Sequence, residues 1–339
     1  MRKQAPTESR CSLDPSIDEA SPVHSKPKIS IIIPCYNEEQ VIEGTIEKIS
    51  AAIQKLDYRF ELIFIDDGSE DATLDRILGA KMRVAPADLI ILEFSRNFGK
   101  EAAMTAGLDA ATGDASILLD ADLQDPPELI DELITRWNSG YEVVAVRRTQ
   151  RDSDSLMKRL TANLFYRFNN LFADRPIPEN VGDSRLIDRS VVLALRQLPE
   201  NRRFMKGLFS WVGFRTTFVD SRRAERPSGT TKFSTLRLLN LALEGLTSFS
   251  TSLLRIWTIF GITISFYAFG HGTYILFRTF IMGIELPGYA SLMVVVLFLG
   301  GIQMVGFGLL GEYIGRIYYE AKRRPTYILR RRHGSTVHD

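Results

Sequence analysis

Residues 115 to 127 read Ala115-Ser116-Ile117-Leu118-Leu119-Asp120-Ala121-Asp122-Leu123-Gln124-Asp125-Pro126-Pro127. A short apolar run passes directly into a polar segment that holds two carboxylates spaced by one residue. An apolar run of this length, ending in turn residues, reads as a buried strand, and Pro126 with Pro127 suits the start of a following helix. Open α/β sheets bind ligands in the crevice beyond the carboxyl ends of their strands, so Asp120 and Asp122 are placed toward such a crevice. Their hard oxygens suit a divalent ion carrying phosphates. Taken alone the pair is better read as a strand-end turn or solvated strand end, and its neighbourhood has to decide.

The same pattern recurs upstream. Ile29–Ile33, Phe60–Ile65, Leu89–Phe94, Ser116–Leu119 and Val143–Val146 are rich in β-branched or large apolar residues and end in polar turns, while Glu39–Lys55 and Pro127–Trp137 have helical spacing. The alternation predicts an α/β layer with a mostly parallel sheet. Pro34-Cys35-Tyr36-Asn37-Glu38 follows the first strand, Asp66-Asp67-Gly68-Ser69 the second, and Ser95-Arg96-Asn97-Phe98-Gly99-Lys100 the third. Any one of these could be only a turn or a helix cap. Their recurrence at corresponding strand ends, together with Asp120 and Asp122, points to one shared ligand crevice.

At 339 residues the chain has room for a domain of about 200 residues and more besides. A formal net charge of +1 excludes a bulk electrostatic binder of nucleic acid. Cys11 and Cys35 give neither a disulfide framework nor metal-ligand spacing, which fits a reducing compartment. Residues 1–27 mix Pro, Ser, Asp, Glu and Lys without the apolar core of a signal peptide, so a disordered leader is expected, with the α/β domain at 28–233 in the cytosol.

Residues 256–277 and 286–310 contain no Asp, Glu, Lys or Arg. Each run is long enough to cross a hydrocarbon core of about 30 Å as a helix. The link Arg278–Glu285 holds one basic residue, whereas Arg316, Lys322, Arg323, Arg324, Arg330, Arg331 and Arg332 lie beyond the second run, so both termini are expected on the cytoplasmic side. His271 is read as a residue near the far headgroups. Gly300, Gly301, Gly306, Gly308 and Gly311 would admit close helix packing, within the chain or in a homo-oligomer. The segment 234–255, with Leu236, Leu239, Leu243, Leu246 and Leu253, predicts a juxtamembrane helix, and 311–339 a basic cytoplasmic tail.

Arg147, Arg148, Arg151, Lys158 and Arg159 precede or enter a helical pattern of Met157, Leu160, Leu164, Phe168 and Leu171, suited to lie on a bilayer. Arg222, Arg223, Arg226 and Lys232 surround Pro227-Ser228-Gly229-Thr230-Thr231, which is either a phosphate-binding loop or a solvated one.

Together, Ile33-Pro34-Cys35-Tyr36-Asn37-Glu38-Glu39, the Asp66, Phe94–Lys100 and Asp120–Pro127 runs, and the tail Gly311-Glu312-Tyr313-Ile314-Gly315-Arg316 resemble the inverting family-2 nucleotide-sugar glycosyltransferases. Within these the likeness is to the polyprenyl-phosphate branch, which includes dolichyl-phosphate mannose synthases and bactoprenol glucosyltransferases. The resemblance implies a GT-A (Rossmann-like) domain with interfacial helices and two transmembrane helices in a bacterial inner membrane. It implies that Pro34, Tyr36, Glu38, Asp66, Asp67 and Asp120 bind the donor, with UDP-glucose the first choice. By the same likeness Asp120, Asp122 and Gln124 would hold Mg²⁺ or Mn²⁺ on the diphosphate, and Arg147, Arg159, Arg226 and Lys232 would place a polyprenyl phosphate. Asp122 is thereby expected to be catalytic, as is Asp183 in Val181-Gly182-Asp183-Ser184-Arg185-Leu186, which matches a family carboxylate near the acceptor that orients it or acts as base. Ser184 stands where the family more often has an aromatic residue.

Overall fold

The structure, a computed structural model, describes residues 26–80, 87–148, 181–201, 203–221, 252–282 and 288–334. Strands β1 (Lys28–Cys35), β2 (Arg59–Asp66), β3 (Asp88–Phe94), β4 (Ala115–Leu118) and β5 (Val143–Arg148) fall on the five apolar runs. Between them stand α1 (Ile42–Ile53), α2 (Thr73–Gly79), α3 (Lys100–Ala110) and α4 (Leu129–Asn138). Next come β6 (Val181–Asp188), α5 (Arg189–Arg196), α6 (Met205–Trp211) and β7 (Thr216–Ser221). The chain then forms α7 (Ser252–Met282), α8 (Tyr289–Ala321) and β8 (Leu329–His333).

The strands pair in the order β7-β5-β6-β4-β1-β2-β3-β8. β1 is parallel to both β2 and β4, and the β2–β3 and β5–β7 pairs are parallel too, whereas β6 opposes β4 and β5, and β8 opposes β3. Ile29, Ile31, Ile33, Leu62 and Phe64 pack with Ile42, Ile46 and Ile49 of α1 and Leu133 of α4. Ile32, Ile63, Ile65 and Leu92 pack with Ala103 of α3, Val192 of α5 and Leu208 of α6. Burial on both faces explains why these strands read as continuous apolar runs rather than alternating ones, and each such side chain contributes roughly 1.5–3 kcal/mol by leaving water.

The crossovers through α1 and α2 carry the chain from β1 to β2 to β3 in one direction, and α3 then returns it to β4 on the other side of β1. That reversal opens a crevice between the carboxyl ends of β1 and β4, where open sheets take their ligands. β6 enters antiparallel to β4 with Leu118 opposite Arg185, so its first residues, Asp183 among them, lie at the same end.

Among the described side chains no helix is long and apolar enough to cross a membrane. Several side chains of α7 and α8 lie outside that description, and the sequence itself is free of Asp, Glu, Lys and Arg over 256–277 and 286–310. The two helices are 31 and 33 residues long. α7 starts inside the segment 234–255, of which 234–251 lies outside the described residues, as do 1–25 and the Met157–Leu171 pattern. Of the five glycines, Gly306 does admit a neighbour: a Cβ there would come 2.5 Å from Trp257 Nε1, while the other four meet nothing within 4 Å among the described residues.

The C-terminal stretch differs from the plain basic tail that the sequence suggests. α8 continues to Ala321, and Leu329–His333 joins the sheet beside β3, with Arg330 and His333 each 3.4 Å from the buried Glu93. A strand of Leu-Arg-Arg-Arg-His has a weak β signal, and it sits at an edge, where charged side chains discourage further pairing.

Candidate active site

Hydrogen bonds tie the strand-end clusters to one another in sequence. Asn37 takes a left-handed backbone (φ 53°), its N–H donates to Ser69 Oγ at 3.0 Å, and its Oδ1 accepts from the Glu70 N–H at 2.9 Å. Asparagine tolerates this conformation through such local bonds. The Glu38 N–H donates to Thr73 Oγ1 at 2.8 Å, so the loop after β1 is fastened to the loop after β2.

The loop after β2 is fastened in turn to the loop after β3. Asp67 accepts from the N–H groups of Phe98 at 2.7 Å and Gly99 at 2.9 Å. Gly68 has φ +67°, and a Cβ there would come 2.5 Å from the Arg96 carbonyl carbon, so glycine alone fits. Burial pushes the Asp67 carboxyl up in spite of its two N–H donors, with the Asp66 charge adding to the effect. Asp66 is raised as well, by burial first and by the charges of Glu93 and Asp71, against two long 3.4 Å bonds from the Ser69 N–H.

Lys100, the first residue of α3, closes the circuit. Its Nζ lies 2.5 Å from Asp120 Oδ1 and 2.6 Å from Asp183 Oδ2, and Lys206 of α6 adds a contact of 3.4 Å to Asp183 Oδ1. The surrounding protein works against the Lys100 charge, but the two carboxylates outweigh it and hold the ammonium above its ordinary value. Asp183 is held below the usual carboxylate range, since Lys206 and Lys100 overcome the effect of burial. Asp120 is pushed up by burial, which Lys100 offsets only in part while Asp183 and Asp122 repel it.

The run after β4 is itself shaped by the chain. The Leu123 N–H donates to the Asp120 carbonyl at 3.1 Å and places Leu123 at φ 46°, a conformation that costs an ordinary residue roughly 1–3 kcal/mol. The Gln124 amide donates to Asp122, and Thr45 of α1 donates to the Ala121 carbonyl at 2.6 Å. The Ser184 hydroxyl donates to Asp125 at 2.5 Å, so the residue that departs from the family pattern pins this run to β6. Asp120, Asp122 and Gln124 supply two carboxylates and an amide, the hard oxygen chemistry that suits Mg²⁺ or Mn²⁺. Among the described residues no group of three or more His, Cys, Asp or Glu is set to hold a metal.

A second layer supports Asp183. The Arg185 guanidinium donates to the Gly182 carbonyl at 2.8 Å and stacks over Phe209 at 3.9 Å, and burial pulls it down to about 10. Glu101 accepts from the Met205 N–H at 3.0 Å and is pushed up to about 7 by burial, fixing α3 to the helix that carries Lys206.

Of the residues singled out in the sequence, the described structure gathers Glu38, Asp66, Asp67, Asp120, Asp122, Gln124 and Asp183 into this linked system. Pro34 lies in β1 opposite Ile65, and Tyr36 just beyond is 38% exposed. Arg147 lies at the end of β5 beside Val181, bidentate to Asp220 of β7 at 2.7 and 3.1 Å. Arg159, Arg226 and Lys232 lie outside the described residues. In the sequence Lys100 closes the Phe94–Lys100 run with no role assigned to it, and Lys206 carries no motif signal. A lysine opening a helix works against the helix dipole, and that misplacement was the available signal for Lys100.

An acid-lined crevice at the switch point of a mostly parallel α/β sheet agrees with the family comparison: residues 30–196 match the model described as Glycosyl transferase family 2. The chain belongs to that family, and it is a glycosyltransferase with a GT-A fold. It is 49% identical over 304 residues to the prophage bactoprenol glucosyl transferase homolog of Escherichia coli K12, covering 90% of this chain and 99% of that protein. It is also 47% identical over 306 residues to the SfII prophage-derived bactoprenol glucosyl transferase of Shigella flexneri, covering 90% and 98%. An uncharacterized glycosyltransferase of Synechocystis is 45% identical over 302 residues, covering 89% and 94%.

Proposed function

We propose that this chain transfers glucose from UDP-glucose to undecaprenyl phosphate, with inversion at the anomeric carbon, on the cytoplasmic face of a bacterial inner membrane. The observation that carries the reading is the hydrogen-bonded circuit that joins Asp67, Asp120 and Asp183 around the β1–β4 crevice. The choice of glucose and of a polyprenyl acceptor is supported by near full-length identity to proteins named bactoprenol glucosyl transferase.

In this reading Pro34, Tyr36, Glu38, Asp66 and Asp67 hold the base and ribose, and Asp120 faces the ribose. Asp120, Asp122 and, once its amide turns, the oxygen of Gln124 would hold Mg²⁺ or Mn²⁺. Bound there, the ion offsets the charge that grows on the leaving diphosphate. Lys100 bridges the donor-side Asp120 and the acceptor-side Asp183, which screens both carboxylates from two anionic substrates. Arg147, Arg159, Arg226 and Lys232 place the acceptor phosphate, Arg147 by exchanging Asp220 for it.

The acceptor is a phosphate monoester, already largely ionised at neutral pH with a second pKa of about 6. Its oxygen needs alignment with the sugar carbon more than deprotonation. Asp183, held below the usual carboxylate range, is a weak base, and its part is therefore to orient the acceptor through Lys100 and Lys206.

Two membrane spans complete the reading. At 1.5 Å per residue, helices of 31 and 33 residues exceed a hydrocarbon core of about 30 Å. Their uncharged stretches and aromatic side chains such as Phe266, Phe269 and Phe280, which is 91% exposed, support burial in lipid. Basic residues after α8 support a cytoplasmic location for both termini.

Membranes carrying the full chain, given labelled UDP-glucose and undecaprenyl phosphate, are expected to yield a monophosphoryl glucosyl lipid by mass. Chelation should stop its formation and added Mg²⁺ or Mn²⁺ restore it. A lipid product from a different nucleotide sugar alone would overturn the glucose assignment, and a diphosphoryl-linked product would overturn the reaction.

A further inference from the structure

The loop Ser95–Gly99 supplies both N–H groups that align Asp67, and its backbone at Arg96 and Asn97 is what Gly68 packs against. Whatever fixes this loop therefore fixes the Asp66-Asp67-Gly68 side of the crevice. On its other flank the loop meets the C-terminal stretch. The Ser95 N–H donates to the Ile328 carbonyl at 3.0 Å, and the Tyr327 ring lies flat on Phe94, with centroids 5.2 Å apart and planes at 9°. Phe94 in turn meets Phe98 edge-on at 5.7 Å, so Tyr327, Phe94 and Phe98 form one aromatic column ending at the residue whose N–H holds Asp67.

Tyr327 is held at its far end as well. Its hydroxyl donates to Asp109 near the end of α3 at 3.0 Å. The β3–β8 ladder shifts register between Glu93 and Phe94, beside the aromatic stack, so the pairing is adapted to this contact rather than continued as a plain edge. Only residues 322–326 separate the end of α8 from Tyr327.

We infer that Tyr327 is a positioning residue for donor binding: by stacking on Phe94 it sets the Ser95–Gly99 loop, and through that loop the Asp67 carboxylate that the donor meets. The inference rests on the donor-pocket reading given above. It makes the segment that follows α8 a support of the nucleotide site.

The test compares Tyr327→Ala, Tyr327→Phe and Asp67→Asn in the full-length, detergent-solubilised enzyme. UDP binding is measured by calorimetry, and steady-state kinetics are run with UDP-glucose and undecaprenyl phosphate. Losing an aromatic stack and the order it imposes should weaken UDP binding and raise KM for UDP-glucose roughly three- to tenfold in Tyr327→Ala. KM for the lipid and kcat at saturating donor should hold, and Tyr327→Phe, which keeps the ring, should restore donor affinity to within about threefold. Should Tyr327→Ala fail to fold, Tyr327→Leu, which keeps bulk without the ring, carries the same comparison. Unchanged donor affinity, with or without a lower melting temperature, would overturn the inference and leave Tyr327 a plain edge contact. The two failures are distinguishable: if Asp67→Asn leaves UDP binding intact, the donor-pocket reading itself falls.

Discussion

Glu61 and Asp66 stand on the same strand, one near each end of β2, and the fold surrounds them very differently. Glu61, near the amino end, is met by Lys28 Nζ at 2.7 Å, the Ser30 hydroxyl at 2.5 Å, and the Thr112 N–H and hydroxyl at 2.7 and 2.8 Å. Burial works against its charge, yet these donors prevail and hold its carboxyl below the ordinary value. At the carboxyl end Asp66, Asp67 and Asp120 are all pushed up, because burial there outruns the donors supplied. Carboxylates that serve stability are saturated from within. At the switch-point crevice burial wins at Asp66, Asp67 and Asp120 even though Ser69, the Phe98 and Gly99 N–H groups and Lys100 meet them, which suits these three to a cation or a sugar hydroxyl arriving from outside, while Asp183 beside them is held down by Lys100 and Lys206.

The sharpest break of this contrast would come at Asp122. Asp122→Ala is expected to lower turnover by about a thousandfold or more while the melting temperature stays within about 2 °C of the parent. Near-normal turnover would remove the functional half of the contrast. Lys100→Met comes next, with a loss of about ten- to a hundredfold from misplaced Asp120 and Asp183, partly recovered in Lys100→Arg. Measured kcat and KM equal to the parent's would reduce Lys100 to a structural bridge.

Glu61→Gln probes the other end. It keeps the shape but loses the charge that Lys28 and the two hydroxyl donors answer, and should cost about 2 kcal/mol of stability. KM for both substrates should not move, as read by kinetics at a temperature where the variant is folded. A shifted KM would show that the two ends of the sheet are not independent.

How much of this was legible beforehand depends on the range of each interaction. The β1–β5 order and the strand-end clusters were readable because hydrophobic runs and turn residues are local signals, and Asp120-Ala121-Asp122 took its meaning from the recurrence of such clusters at the other strand ends. The partners that separate Glu61 from Asp66 were not readable. Lys28, Ser30 and Thr112 come together with Glu61 only through the β1–β2 and β1–β4 registers. The same holds for Lys100 and Asp183, brought together by an antiparallel β6 that gave no strong strand signal, and for β8, whose arginines conceal a strand. Ser184 looked like a defect in a motif, and its bond to Asp125 appears only when β6 is laid beside β4.

Glu101 offers the finest test, because it lies half-buried at the crevice end and accepts from the Met205 N–H. Its folded value of about 7 stands above the unfolded 4.5. Its contribution to stability is therefore full below about 4.5 and is lost as pH rises toward 7, since the unfolded chain gives up its proton first. Glu61 has the opposite sign: its folded value lies below 4.5, so its contribution is present above 4.5 and is lost as pH falls through the folded value. The melting temperature of Glu101→Gln should accordingly vary less between pH 5 and 7.5 than the parent's, by about 2–4 °C, whereas Glu61→Gln should differ from the parent least in acid. If both variants flatten the same limb of the pH profile, the balance of burial against donors at the two ends of the sheet is not what sets these carboxylates apart.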